Sequence, residues 1–242
     1  IIMKIIRRTG MYYKYETHAH TSETSRCSHI SGAELARFYK SLGYTGMFVT
    51  DHFFNGNTTV PSDLAWSERV DRFMEGYFAA KAEGDRIGLD VFFGWEYTLC
   101  GNDFLIYGLG RDWLLSNPDQ LGLSVRDYMK RVREDGGLVI HAHPFREAGY
   151  IDMIRLIPRD VDGVEVINAS MKDEYNSRAE WYAGSYDLLR SAGSDNHAGQ
   201  RPRLAGVFLP ERIASERDFV CLMKDGASEL FCDRYDETGV RL

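Results

Sequence analysis

Six of the seven histidines fall into four short groups: His18-Ala19-His20, Asp51-His52, His141-Ala142-His143-Pro144 and Asp195-Asn196-His197. Neutral imidazoles and carboxylates are the ligand set of zinc, manganese and iron, and no thiolate cluster accompanies them. In an extended chain residues i and i+2 project to the same side, so His18 with His20, and Asp195 with His197, each aim two donors at one centre. Glu96 follows the apolar run Phe92-Phe93-Gly94-Trp95. An unpaired carboxylate there would be costly to bury, which calls for a cation, a metal ahead of a buried arginine. Asp51 fits two roles, a metal ligand or a residue that holds His52 or a backbone amide. His141 shares the expected strand face of His143 and fits a general acid, a phosphate contact or a donor that orients a ligand.

Each group stands where a strand is expected to end. Strands are expected over residues 12–17, 45–50, 89–95, 104–107, 138–142, 163–167, 191–193 and 204–209, from short runs rich in β-branched and aromatic residues. Helices are expected over 31–42, 63–82, 124–134, 175–190 and 216–224. The first opens with a Ser31 N-cap and a Glu34 capping box and stops at Gly43, and the last finishes the array. Strands alternating with helices, with no repeat and no linker, imply one α/β domain over residues 1–242, its roughly seven parallel strands closed into a barrel. In such a barrel the C-terminal strand ends share one face, where residues remote in sequence meet.

Composition narrows the function classes. With 44% hydrophobic and 27% charged residues the 242-residue chain can bury a core, which excludes disorder and coiled coil. A net charge of −7 argues against broad nucleic-acid binding. No apolar run approaches a membrane span, and residues 1–8 lack a signal-peptide h-region and cleavage site. Four scattered cysteines without a CxxC pair read as reduced thiols, so the expected compartment is the cytoplasm.

The ordered motifs His18-Ala19-His20, Thr50-Asp51-His52, Glu96, His143-Pro144 and Asp195-Asn196-His197 resemble the PHP family, the polymerase and histidinol phosphatase domain. The resemblance runs from residue 18 to 197. It implies a distorted (β/α)7 TIM-like barrel with two or three divalent metal ions, zinc, manganese or iron, at its C-terminal face. It also implies that His18, His20, Glu96 and Asp195 hold one metal, that Glu96 bridges to a second with His143, and that His52 and His197 serve a third. Two positions depart from the fullest pattern. Where the family often has a His or Asp shortly after HxH, this chain has Ser25-Arg26, leaving Glu23, Cys27 or His29 as substitutes. Where another His is common after the lone Glu it has Leu105, with Asp103 nearby as a substitute ligand or a turn-stabilising residue.

The expected activity is a metal-dependent phosphoesterase that hydrolyses a small phosphorylated metabolite or nucleotide by attack of a metal-bound hydroxide, with a metal, His197 or His141 assisting the departing oxygen. A guanidinium matches two phosphate oxygens, so Arg146, directly after His143-Pro144-Phe145, is the first substrate-binding candidate. Arg201 and Arg203 follow the Asp195-Asn196-His197 motif, and Lys172 is a weaker choice. The alternatives are an exonuclease or oligonucleotide hydrolase, with nucleic acid present only as substrate, and a non-catalytic metal-stabilised binding module.

Overall fold

The computed structural model describes residues 12–242, and the reading of residues 1–8 lies outside them. In chain order the elements are β1 (Tyr13–Glu16), α1 (Gly32–Ser41), β2 (Gly46–Val49), α2 (Trp66–Phe73), α3 (Glu75–Ile87), β3 (Asp90–Leu99), β4 (Asn102–Tyr107), α4 (Arg111–Ser116), a 3-10 turn (Gln120–Gly122), α5 (Val125–Glu134), β5 (Leu138–Ala142), β6 (Gly163–Asn168), α6 (Asp173–Ser185), β7 (Leu189–Gly193), β8 (Arg203–Leu209), α7 (Glu216–Lys224) and β9 (Glu229–Arg234). They form one mixed sheet in the order β7-β6-β5-β4-β3-β2-β1-β8-β9. The sheet nearly closes where β7 meets the segment that follows β1: Ala19 bridges Asn196 and the Thr17 hydroxyl donates to the Ala192 carbonyl at 2.6 Å. Gly193 permits this approach, because a Cβ there would lie 2.4 Å from that of His18.

The expected TIM-like barrel is present, with nine strands among the described residues and a departure from all-parallel order. β3 turns straight into β4 through Cys100 and Gly101, whose φ values of 49° and 78° make the primed two-residue turn that suits a hairpin. β4 is therefore antiparallel to both β3 and β5, and β8 and β9 add an antiparallel pair beside β1. β9 and α4 go beyond the elements expected from the sequence, whose array ends at α7. The long helix expected over 63–82 begins at Trp66 and breaks at Met74, whose ψ of −7° ends α2 before α3 starts. The helix expected to reach Arg190 ends at Ser185, because the left-handed Asp187 turns the chain into β7.

Two apolar layers sandwich the sheet. Inside the barrel, Tyr15, Phe48, Phe92, Leu105, Tyr107, Leu138 and Ile140 pack on Phe219 of α7, which plugs the lower end. Phe48 meets Phe219 at 4.5 Å and Tyr107 at 5.1 Å between ring centroids. Burying each such side chain stabilises the fold by about 1.5–3 kcal/mol. Outside, Phe93, Trp95, Phe104, Val139 and Val164 pack under the helices, where Trp95 donates its indole N–H to the Tyr128 hydroxyl at 2.8 Å. No helix among the described residues is long and apolar enough to cross a membrane.

Candidate metal centre

The upper ends of these strands carry the polar cluster. In β3 the alternation Phe92, Gly94, Glu96 turns every second residue inward, so Glu96 enters the barrel although the strand continues to Leu99. β1 needs a correction to its pleat to do the same. Tyr15 belongs to the inner layer and Ala19 to the layer under α1, two faces that strict alternation cannot give them. The phase slips between them, and the amides of Thr17 and His18 both donate to Glu16 Oε1, at 3.0 and 2.9 Å. His18 and His20 then face the interior.

β5 shows the same device. Its Ile140 and Ala142 are inner residues, so His141 points outward, against the expectation that it shares a face with His143. It stacks on Phe104 at 4.7 Å and meets the edge of Tyr182, fully buried with neither ring nitrogen hydrogen-bonded. Burial pushes its pKa down to about 3. A group there reaches no substrate, which removes His141 from the expected catalytic set. His143 returns to the interior because its φ of 27° breaks the pleat, and its amide donates to Glu165 Oε2 at 3.1 Å. Asp195, with φ 52°, is a second site residue in the left-handed region.

The donors converge at ligand spacing. Two atoms about 2.1 Å from one tetrahedral ion stand about 3.4 Å apart. His18 Nε2 lies 3.1 Å from His20 Nε2, 3.4 Å from Glu96 Oε1 and 3.6 Å from Asp195 Oδ1. His143 Nε2 lies 3.1 Å from Glu96 Oε1, and His52 Nδ1 lies 2.7 Å from Glu96 Oε2. Candidate sets with all donor atoms within 4.8 Å are His18/His143/Asp195, His18/His20/Glu96, His20/His52/His197 and Glu96/Asp103/His143. The seven expected ligands thus meet, with Asp103 beside them.

The electrostatics demand a cation. Burial opposes charge on His18, but Glu165, Asp195 and Glu96 outweigh it and hold its pKa well above the ordinary value. Burial likewise opposes charge on Glu96, and His52 and His18 hold its carboxyl well below the usual range. Burial together with His197 and His52 keeps His20 neutral. His20 Nδ1 contacts Ser25 Oγ at 3.2 Å while that hydroxyl donates to Asp51 at 2.6 Å, so the Nε2 lone pair faces His18. Only a proton or a metal ion satisfies the space between these nitrogens. Glu96 Oε2 and His52 Nδ1 stand 2.7 Å apart in a buried ion pair, where a shared cation would take the place of the imidazolium proton.

Sequence reasoning missed much of the supporting shell. Glu165 Oε1 receives His18 Nδ1 at 2.8 Å, the carboxylate–histidine support typical of metal sites, and Asn168 links Glu165 to Asp195. A carboxylate between Val164 and Val166 carried the same signal as Glu96. Asp51 takes the supporting role of its two, bonding the Thr21 amide at 2.7 Å and Ser25.

A cavity of about 700 Å³ opens over His52, Asp195 and His197. Arg146 lines it, with its guanidinium 5.6 Å from the Tyr150 ring, as does Arg201, which donates to Ser170 Oγ at 2.7 Å. Arg203 does not join them. Its guanidinium is tied to the Ala169 and Met171 carbonyls and to Asp173, which corrects its expected role in substrate binding. Cys27 is half-buried on the cavity wall. Burial pushes its thiol up, but hydrogen bonds with His197 and His52 prevail and bring it to about 6.

No protein-family model and no curated protein matches the chain. Solved structures do. A two-domain protein from Bacteroides vulgatus, described as containing a predicted PHP-like metal-dependent phosphoesterase, superposes with a TM-score of 0.65 at 15% identity over 91% of this chain. The chain spans 65% of that protein's length. A putative metal-dependent phosphoesterase from Bifidobacterium adolescentis matches at 0.54 and 17% identity, over 78% of this chain and 90% of that one. An amidohydrolase from Chromobacterium violaceum with bound sulfate and no metal matches at 0.54 and 15%, over 76% and 88%. At these identities the likeness establishes the fold.

Proposed function

We propose that this chain is a PHP-type, metal-dependent phosphoesterase that uses two or three divalent ions to hydrolyse a small phosphorylated metabolite or nucleotide. The observation that carries the reading is the buried Glu96, a carboxylate ion-paired with His52 at 2.7 Å and set inside a ring of inward-facing imidazoles whose donor atoms lie at ligand spacing. His18, His20 and Glu96, and beside them His18, His143 and Asp195, would hold the inner ion or ions, with His20, His52 and His197 facing the outer end of the cluster. When bound, such ions make a water available as hydroxide near neutral pH and neutralise charge on phosphoryl oxygens.

The chain supplies the rest. Arg146, with its guanidinium 5.6 Å from the Tyr150 ring, and Arg201 offer forked donors to phosphate oxygens from the cavity wall. Glu165, Asn168 and the Asp51–Ser25 pair fix the rings and carboxylates around the phosphate position. A bounded cavity on a chain of net charge −7 suits a small substrate better than a long nucleic-acid strand.

The test is chelation followed by reloading with zinc, manganese or iron(II), assayed on an aryl phosphate monoester, an aryl phosphodiester and an aryl amide. Metal-restored release from a phosphate ester is the expected result. Metal-loaded protein that cleaves only the amide, or nothing, overturns the reading.

A further inference from the structure

Of the two positions where this chain departs from the expected ligands, the fold fills the one after Glu96. The hairpin sends β4 back between β3 and β5, so its side chains reach the cluster from a strand that runs against both neighbours. Leu105 and Tyr107 belong to the inner layer and Phe104 and Ile106 to the outer one, which turns Asp103 inward by the pleat. Leu105, directly opposite Glu96, offers no donor, whereas Asp103 is the next inward residue of the strand. Register sets it between Thr98 on β3 and Ala142 on β5, the residue before His143. It is 8% exposed, lines the cavity, and its Oδ1 accepts from the Thr98 hydroxyl at 2.7 Å. Donor atoms of Asp103, Glu96 and His143 all lie within 4.8 Å of one another, with His143 Nε2 3.1 Å from Glu96 Oε1. Two carboxylates this close and this buried repel each other, and an ion held by both replaces that repulsion with coordination.

We propose, on the reading of the cluster as a metal centre, that Asp103 is a metal ligand which forms an ion position with Glu96 and His143 at the cavity wall, with a carboxylate where an imidazole is expected. The centre then has two unlike positions. Glu96, Asp103 and His143 present two carboxylates and one imidazole, a hard donor set on which manganese competes best with zinc. His20, His52 and His197 present three imidazoles, which suit zinc. Because Asp103 lines the cavity that Arg146 also lines, the ion it holds is the one placed to meet a phosphate oxygen bound there.

Manganese(II) reads this without reference to turnover. Chelator-stripped protein is titrated with manganese, and the bound ions are counted from the loss of the free-ion electron paramagnetic resonance signal. Asp103→Asn, which keeps the side-chain volume and the acceptor for Thr98, is expected to bind one manganese fewer per chain. Asp103→His keeps the count and raises the preference for zinc over manganese in competition. Anomalous diffraction at the manganese edge, on crystals of the unmodified protein, needs no variant and is expected to place a peak within ligand distance of Asp103, Glu96 and His143 together. An unchanged count in Asp103→Asn, a metal preference that Asp103→His does not move, or manganese peaks in the cluster that leave Asp103 bonded to Thr98 alone overturns the Asp103 assignment and leaves the metal-centre reading standing. A folded chain that binds neither manganese nor zinc overturns both.

Discussion

Along the lower half of the barrel, Tyr15, Phe48, Phe92 and Tyr107 point inward onto Phe219 of α7, while along the upper half the inward positions at and beyond the strand ends carry His18, Glu96, Glu165 and His143. The lower half is held by contacts with no directional demand, in which removed area sets the energy. The upper half is built of groups that burial penalises, each tolerated through a named partner or a cation. The lower half is therefore expected to set stability, and the upper half to set ion binding and chemistry at little cost to folding.

Phe48→Ala separates the two most strongly. Its cavity should cost about 3–5 kcal/mol in denaturant unfolding of the metal-free protein. Ion stoichiometry measured below the transition should not change, and a loss of ions there would show that the halves are not independent. Glu96→Gln is the converse: hydrolysis of an aryl phosphate should fall by about a hundredfold or more, with the circular dichroism spectrum retained. Near-normal turnover at saturating metal would remove Glu96 from the centre.

Arg146→Ala should cost roughly 1.5–3 kcal/mol in kcat/KM without changing ion content. A change under about twofold would return Arg146 to the ordinary surface. Glu165→Gln tests support of the ligands by a residue beyond them. It should weaken ion affinity by about 10–100-fold in a competitive chelator titration, and unaltered affinity would make Glu165 merely structural.

His141 sharpens the comparison through pH. Its pKa is depressed to about 3 by burial, against an ordinary histidine value of 6.5. Between these values the unfolded chain binds the proton and the folded chain does not. This contribution to stability is therefore present above about pH 6.5 and is lost as pH falls toward 3. From pH 6.5 to 5 the loss amounts to about 2 kcal/mol. His141→Phe should abolish that share of the acid sensitivity in the metal-free protein and leave ion binding intact. An unchanged slope of stability against pH would show that His141 charges without leaving the core.

The site was largely legible because its residues cluster at strand ends, and the family resemblance assigned their ordered motifs. Glu96 followed from a carboxylate closing an apolar run, and Glu165, in Val164-Glu165-Val166, was equally readable but overlooked. The hairpin at Cys100-Gly101 was not legible as a turn, since only Gly101 announces a left-handed conformation and the strand runs on past Glu96. The break at Met74 left no mark in residue type.

What the sequence determined by itself was the alternation of strands and helices and the inventory of donors at the strand ends, because pleat and helical period are local properties of the chain. The side on which each donor falls was decided by tertiary structure. His141 and His143 are two apart and would share a face in a regular strand, but a left-handed residue, its amide taken by Glu165 from the next strand, sends one to the cluster and leaves the other among aromatic rings. His18 and His20 enter the barrel for a similar reason: the slip after β1 frees two amides that donate to Glu16, while the same carboxylate accepts from Ser194 beyond β7 and so joins β1 to β7. Such breaks in the pleat are stable only where a remote partner receives the displaced backbone groups, and that partner is brought near by the closing of the sheet.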